Sequence, residues 1–188
     1  MNFEEIEKIV KEKLSEKRFH HSMCVVKRCE ELAIRYGENV EKARLVGLVH
    51  DMAKEIPEEE KILYAEQNNL GIDDVERAKP SMLHGKIAGD MAKKQFSFTD
   101  DMVEAVAYHT TGKANMSMLD KILYIADATG DDRTWDDVQY VKDLADSDID
   151  RALMYMFNLE IEDKLKEDKA IHVNTILARN YLILNQKY

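Results

Sequence analysis

The chain has 188 residues, seven Gly and two Pro, 34% charged and 45% hydrophobic residues, and a formal net charge of −10. That length suits one domain, and so few turn-forming residues exclude an all-β protein, whose tight turns draw on Gly and Pro. The acidic balance argues against a broad basic grip on nucleic acid, but leaves room for a small anion in a locally positive pocket.

Helical spacing begins at once: Phe3, Ile6, Val10 and Leu14 form one stripe, with Asn2 placed to cap it. This charged, amphipathic start is unlike a secretory leader, and no apolar run reaches the ~20 residues of a membrane helix. The pattern predicts a second helix from about Lys17 to Tyr36, stopped by Gly37, and a third from about Val40 to Lys54, stopped before Pro57. Further helices are expected over Glu58–Asn68, Ser81–Lys94, Thr99–His109, Ser117–Ala128, Trp135–Ala145, Ile149–Lys166 and Asn174–Asn185. Loops fall at Asn68–Asp73, Thr110–Asn115, Gly130–Thr134 and Lys169–Val173, all too short for an interdomain linker. The expectation is an all-α fold, one compact helical domain over 1–188. Cys24 and Cys29, five residues apart on one helix, point in different directions and predict free thiols in a reducing cytoplasm.

The ionisable groups sit where they are costly. Leu45–Val49 runs into His50-Asp51, Ile122–Ala126 into Asp127, Val103–Ala107 towards His109, and Met82-Leu83 into His84. A buried Asp or His is unfavourable by several kcal/mol unless paired or bound to a cation. A histidine bonded to a backbone carbonyl explains any one case; one shared metal centre explains all four. Imidazole and carboxylate without thiolate suit Fe, Mn, Co, Ni or Zn in a catalytic site. Lys54, one helical turn beyond His50, either meets a phosphate oxygen there or lies in solvent.

The series His21, His50-Asp51, His84, His109 and Asp127 resembles the HD superfamily of metal-dependent phosphohydrolases. Five segments narrow the likeness: Arg18-Phe19-His20-His21-Ser22, His50-Asp51-Met52-Ala53-Lys54, His109-Thr110-Thr111-Gly112, Lys121–Asp127 and Ile171-His172-Val173-Asn174-Thr175. Together they resemble the YqeK-type symmetrical hydrolases of diadenosine tetraphosphate. The resemblance places the motif core at about 17–130, with the C-terminal helices completing a nucleotide site. It implies a bacterial, iron-dependent enzyme, with Mn, Co or Ni as substitutes, that uses a metal-activated water to split the dinucleoside polyphosphate into two ADP. It further implies His21, His50, Asp51 and Asp127 as the principal metal ligands. His84 and His109 would then face the phosphates or complete a second metal position, joining Asp51 and Asp127 as catalytic groups. Arg18, Met52, Ala53, Lys54, Thr110, Arg133 and the run Ala170, Ile171, His172, Val173, Asn174 and Thr175 would line the substrate site. A homodimer is the default assembly; no nucleic-acid or membrane partner is expected.

Two departures from that pattern fall in the binding loops. The family places an acidic residue and a proline shortly before the arginine equivalent to Arg133, where this chain reads Ala128-Thr129-Gly130-Asp131-Asp132. Val173 stands where proline commonly follows the late histidine. Some residues call for milder readings. Arg133 after two aspartates is either a surface ion pair or a phosphate ligand, Trp135 reads as a helix-start anchor, and Met23, Met52, Met82, Met102 and Met154 read as core fillers. Rival functions are another HD phosphohydrolase, such as a nucleoside 5′-monophosphatase or a deoxynucleotide hydrolase, or a nucleotide sensor without turnover.

Overall fold

The computed structural model describes residues 1–185. It forms α1 (Phe3–Lys13), α2 (Glu16–Tyr36), α3 (Val40–Val49), α4 (Glu58–Gln67), α5 (Asp74–Ala78) and α6 (His84–Phe96). There follow α7 (Asp100–Tyr108), α8 (Met118–Thr129), α9 (Val138–Ser147), α10 (Ile149–Lys166) and α11 (Val173–Asn185). A 3₁₀ turn at Pro80–Leu83 leads into α6. There is no strand among the described residues, so the fold is all-α. No described helix is long and apolar enough to cross a membrane.

Local signals set most boundaries. Asn2 and Glu5 exchange backbone and side-chain bonds in a capping box that opens α1, and Ser117 with Asp120 does the same for α8. Such caps are each worth about 1 kcal/mol. Gly37 closes α2 in the left-handed conformation. α2 lies along α3 and α8, α6 against α7, and α10 against α8, α9 and α11. Val25 and Leu32 of α2, Val46 and Leu48 of α3, and Ile122, Leu123 and Ile125 of α8 are completely buried between them. Burying each such side chain contributes about 1.5–3 kcal/mol.

The α6–α7 contact is unusually close because Gly85 faces the α7 backbone. A Cβ at Gly85 would stand 2.9 Å from the Ala107 carbonyl oxygen and 3.0 Å from that of Val106. A side chain there would wedge the two helices apart, and with them His84 and His109.

Three expectations need correction. α3 stops at Val49, not Lys54: from Met52 the chain winds on in tighter i→i−3 bonds (Met52 to Val49, Lys54 to Asp51), so His50 and Lys54 do not share a helix face. α5 and the following 3₁₀ turn are additional, and α6 starts at His84 instead of Ser81; the missed signal is the Asp73–Glu76 capping box. α9 begins at Val138, and Trp135 does not anchor it: its indole N–H donates to the Ala128 carbonyl (2.9 Å), closing the end of α8. His172 is buried, as described below.

Candidate metal centre

Four helix ends and one helix middle converge. His50 caps α3, His84 opens α6, His109 caps α7, Asp127 lies in the last turn of α8, and His21 comes from within α2. The imidazoles form an unbroken edge-to-face chain, with centroids 5.4 Å apart for His21–His50, 5.1 Å for His50–His109 and 4.9 Å for His84–His109.

Hydrogen bonds decide which nitrogen each ring presents. His50, His84 and His109 place Nδ1 2.7 Å from the carbonyl three residues earlier, on Gly47, Ser81 and Val106. A carbonyl only accepts, so Nδ1 carries the proton in all three. At His50 and His109 the acceptors are carbonyls that a helix end leaves without an intrahelical partner. Their Nε2 atoms therefore turn inward: His84 Nε2 is 3.1 Å from His109 Nε2 and 3.1 Å from Asp51 Oδ1, and His50 Nε2 is 3.7 Å from Asp51 Oδ2 and 4.0 Å from Asp127 Oδ1. His50 Nε2 and Asp51 Oδ1 are buried without a hydrogen-bond partner.

Burial pushes the His109 imidazole down to about 3, and lowers that of His50 despite the Asp51 and Asp127 carboxylates. Burial also pushes the carboxyl groups of Asp51 and Asp127 up, but the charges around them outweigh it and hold both below the usual carboxylate range. Burial acts against a charge on His21, yet Asp127 lifts its affinity for a proton above the ordinary value. Lone pairs facing carboxylates repel unless a cation lies between them. His21, His50 and Asp127 offer one set of ligand atoms within 4.8 Å of each other, and His50, Asp51 and His109 a second, so the residues fit one cation or two.

Three cations ring the carboxylates in an otherwise acidic chain. Arg18 reaches Asp51 (2.9 Å), Lys54 reaches His84 Nε2 (3.1 Å) and Asp51 (3.5 Å), and Arg133 reaches both the Asp127 carboxylate and its backbone carbonyl. Arg133 thus pairs with Asp127, not with the adjacent aspartates. Residues invisible to sequence reasoning include Asp132, whose carboxylate meets His21 Nδ1 at 2.8 Å.

A cavity of about 310 Å³ opens beside the centre, with Thr110 on its wall; the Thr110 hydroxyl is 3.4 Å from His109 Nε2. Ala170, Ile171, His172 and Thr175 line it together with Val75, Ala78 and Met82. Its charged lining is Lys79, Lys164, Lys169 and Glu160, with Lys164 paired to Glu160 (2.9 Å) and Lys169 to Glu167 (2.8 Å). Val173 faces solvent, Asn174 is not on the cavity wall, and Met52 and Ala53 are packed in the core. The His172 ring accepts the Asn174 backbone N–H at Nδ1 (3.1 Å), which leaves its proton on Nε2, 2.8 Å from Asp73. Glu76, beside it, is held 2.7 Å from the Lys86 ammonium.

The HD domain model matches residues 18–130, well over half of the chain. The chain belongs to the HD domain family, whose members are metal-dependent. It is 30% identical to the bis(5′-nucleosyl)-tetraphosphatase, symmetrical, of Bacillus subtilis, covering 97% of this chain and 98% of that one. The protein of the same description from Staphylococcus aureus is 29% identical, over 96% and 94%. A crystal structure from Clostridium acetobutylicum, described as a predicted HD superfamily hydrolase involved in NAD metabolism, superposes with a TM-score of 0.95 at 36% identity, over 99% of both chains.

Proposed function

We propose that the chain is a metal-dependent hydrolase that cleaves diadenosine tetraphosphate symmetrically into two ADP, acting as one unit over 1–188. The observation that carries this reading is the convergence of inward-facing Nε2 atoms and two carboxylates, ringed by three cations, beside a nucleoside-sized cavity. The full-length likeness to symmetrical tetraphosphatases supports the choice of substrate.

His21, His50, Asp51 and Asp127 would hold the principal ion, iron in this reading, and His109 with His84 would complete a second position. A bound divalent ion supplies Lewis-acid charge and lowers the pKa of water towards ~7. Arg18, Lys54 and Arg133 would exchange their carboxylate partners for the oxygens of the central phosphates and neutralise charge gathering there. Thr110, Ala170, Ile171, His172 and Thr175 would seat one nucleoside diphosphate half, which puts the central anhydride, and not an outer one, over the histidines. Asp51 or Asp127, held ionised, would orient the attacking water. ADP departs as an anion of low basicity, so no dedicated acid is required.

The test is product analysis. Anaerobic, Fe(II)-loaded protein incubated with diadenosine tetraphosphate should yield ADP alone. ATP plus AMP would overturn the register, and orthophosphate or free nucleoside would move the chain to another HD activity. The description of the Clostridium structure favours one further arm with nicotinamide adenine dinucleotide.

A further inference from the structure

His50, His84 and His109 fix their rings on carbonyls of their own chain, because each lies at a helix end. His21 has no such carbonyl. It is the sixth residue of the 21-residue α2, where the carbonyls three and four residues back belong to the helix ladder. An acceptor for its Nδ1–H must come from another part of the chain.

We propose that Asp132 is the positioning residue of the metal centre: its carboxylate receives the Nδ1–H of His21 (2.8 Å) and aims Nε2 at Asp127 (3.1 Å) and the cation beside it. The inference rests on the metal-centre reading above. Carboxylates that orient a ligating imidazole in this way commonly tune metal affinity by about 10- to 100-fold.

The loop is built for the task. Gly130 leaves room, since a Cβ there would stand 3.0 Å from Asp132 Oδ1 and 3.4 Å from Cys24 Cβ. The Arg133 N–H closes the turn on the Gly130 carbonyl (3.0 Å). Asp131 is pinned outward by Lys27 (2.7 Å) and Lys142 (3.3 Å), while Arg133 is pinned on Asp127. Asp132 is left pointing between them, its Oδ1 buried without a hydrogen-bond partner and its Oδ2 on His21.

Mn(II) affinity, measured by competition with a chromogenic chelator, and heteronuclear NMR of the His21 ring in metal-free protein test this together. Asp132→Ala should weaken Mn(II) binding by about 10- to 100-fold with its helical circular dichroism intact, and Asp132→Asn, whose amide oxygen still accepts, should recover most of that loss. The Nδ1–H resonance should persist in wild type and in Asp132→Asn and vanish in Asp132→Ala. Gly130→Val should behave like Asp132→Ala. Wild-type affinity in Asp132→Ala, or an unaltered Nδ1–H resonance, overturns the proposal. If wild type binds no divalent ion, the metal-centre reading and the positioning role built on it both fall, while the resonance still decides whether Asp132 holds His21.

Discussion

Among the described residues, two clusters combine imidazole and carboxylate, and their imidazoles carry the proton on opposite nitrogens. Around His50, the Nδ1 protons are drawn outward onto backbone carbonyls and the Nε2 atoms face carboxylate oxygens, with that of His50 unpartnered and that of His84 accepting from Lys54. Around His172, the Asn174 N–H occupies Nδ1, which leaves the proton on Nε2, 2.8 Å from Asp73 Oδ2 but outside hydrogen-bond geometry. Glu76 pairs with the Lys86 ammonium, which also donates to the Gly71 carbonyl at 2.9 Å. Asp51 pairs in much the same way with Arg18 and Lys54, so the two clusters differ in their imidazole tautomers and not in having a cation at the carboxylate. Asp73, Glu76 and His172 come as near to one another as metal ligands do, yet the ring has no lone pair to give. Proximity of ligand types is therefore not enough; the direction in which each proton points separates a metal centre from a structural clasp.

The strongest way to break the comparison is Asp51→Ala. It should lower metal-dependent turnover by about a thousandfold or more, a loss of roughly 4 kcal/mol in transition-state stabilisation, with the fold retained by circular dichroism. A folded variant with near-normal turnover would sink the proposed site.

Glu76→Ala should do the reverse. It strands the largely buried Lys86 ammonium and should reduce stability in urea by about 2–4 kcal/mol, with metal content unchanged. Loss of bound metal would show that the two clusters are not independent. Burial pushes the Glu76 carboxyl up, but His172, Lys86 and the Asp73 N–H outweigh it and bring it to about 2, from an ordinary 4.5. A depressed folded value stabilises above the unfolded one, so this contribution is whole above about pH 4.5 and fades as pH falls towards 2. Urea melts of Glu76→Gln across that window should show a shallower loss than wild type.

Gly85→Ala is the smallest perturbation and sharpens the picture most. Its Cβ would meet two α7 carbonyls and stand 3.2 Å from His109 Nδ1, so α6 and α7 must separate. The expected cost is about 1–3 kcal/mol, with weaker metal binding because His84 and His109 move apart. Stability lost without any change in metal affinity would mean that the helix spacing does not set the centre.

Much of this was legible before the fold was known. His50-Asp51, His84, His109 and Asp127 stand out because each ends an apolar segment, a pattern visible wherever a helix turns one face to the core. His21, flanked by Arg18, His20 and Ser22, is legible only through the resemblance of the whole series. The segments that escaped are short or irregular. α5 has five residues, too few for a periodic stripe, and the winding after Val49 reads like a continued helix because its apolar residues keep nearly the same spacing. Asp132 escaped for another reason: in sequence it is one of two aspartates beside an arginine, and only the fold brings it across 111 positions to His21.

The sequence by itself determined the all-α class, the long helices with their caps, and the set of ionisable residues that needed partners, because periodicity and capping are local properties. The tertiary structure decided which nitrogen of each histidine faces inward, that Asp132 and not a backbone carbonyl holds His21, and that His172 belongs to a clasp. Those outcomes depend on the donor or acceptor that chain-distant packing, or the end of a helix, sets beside each ring, and no spacing along the chain encodes that.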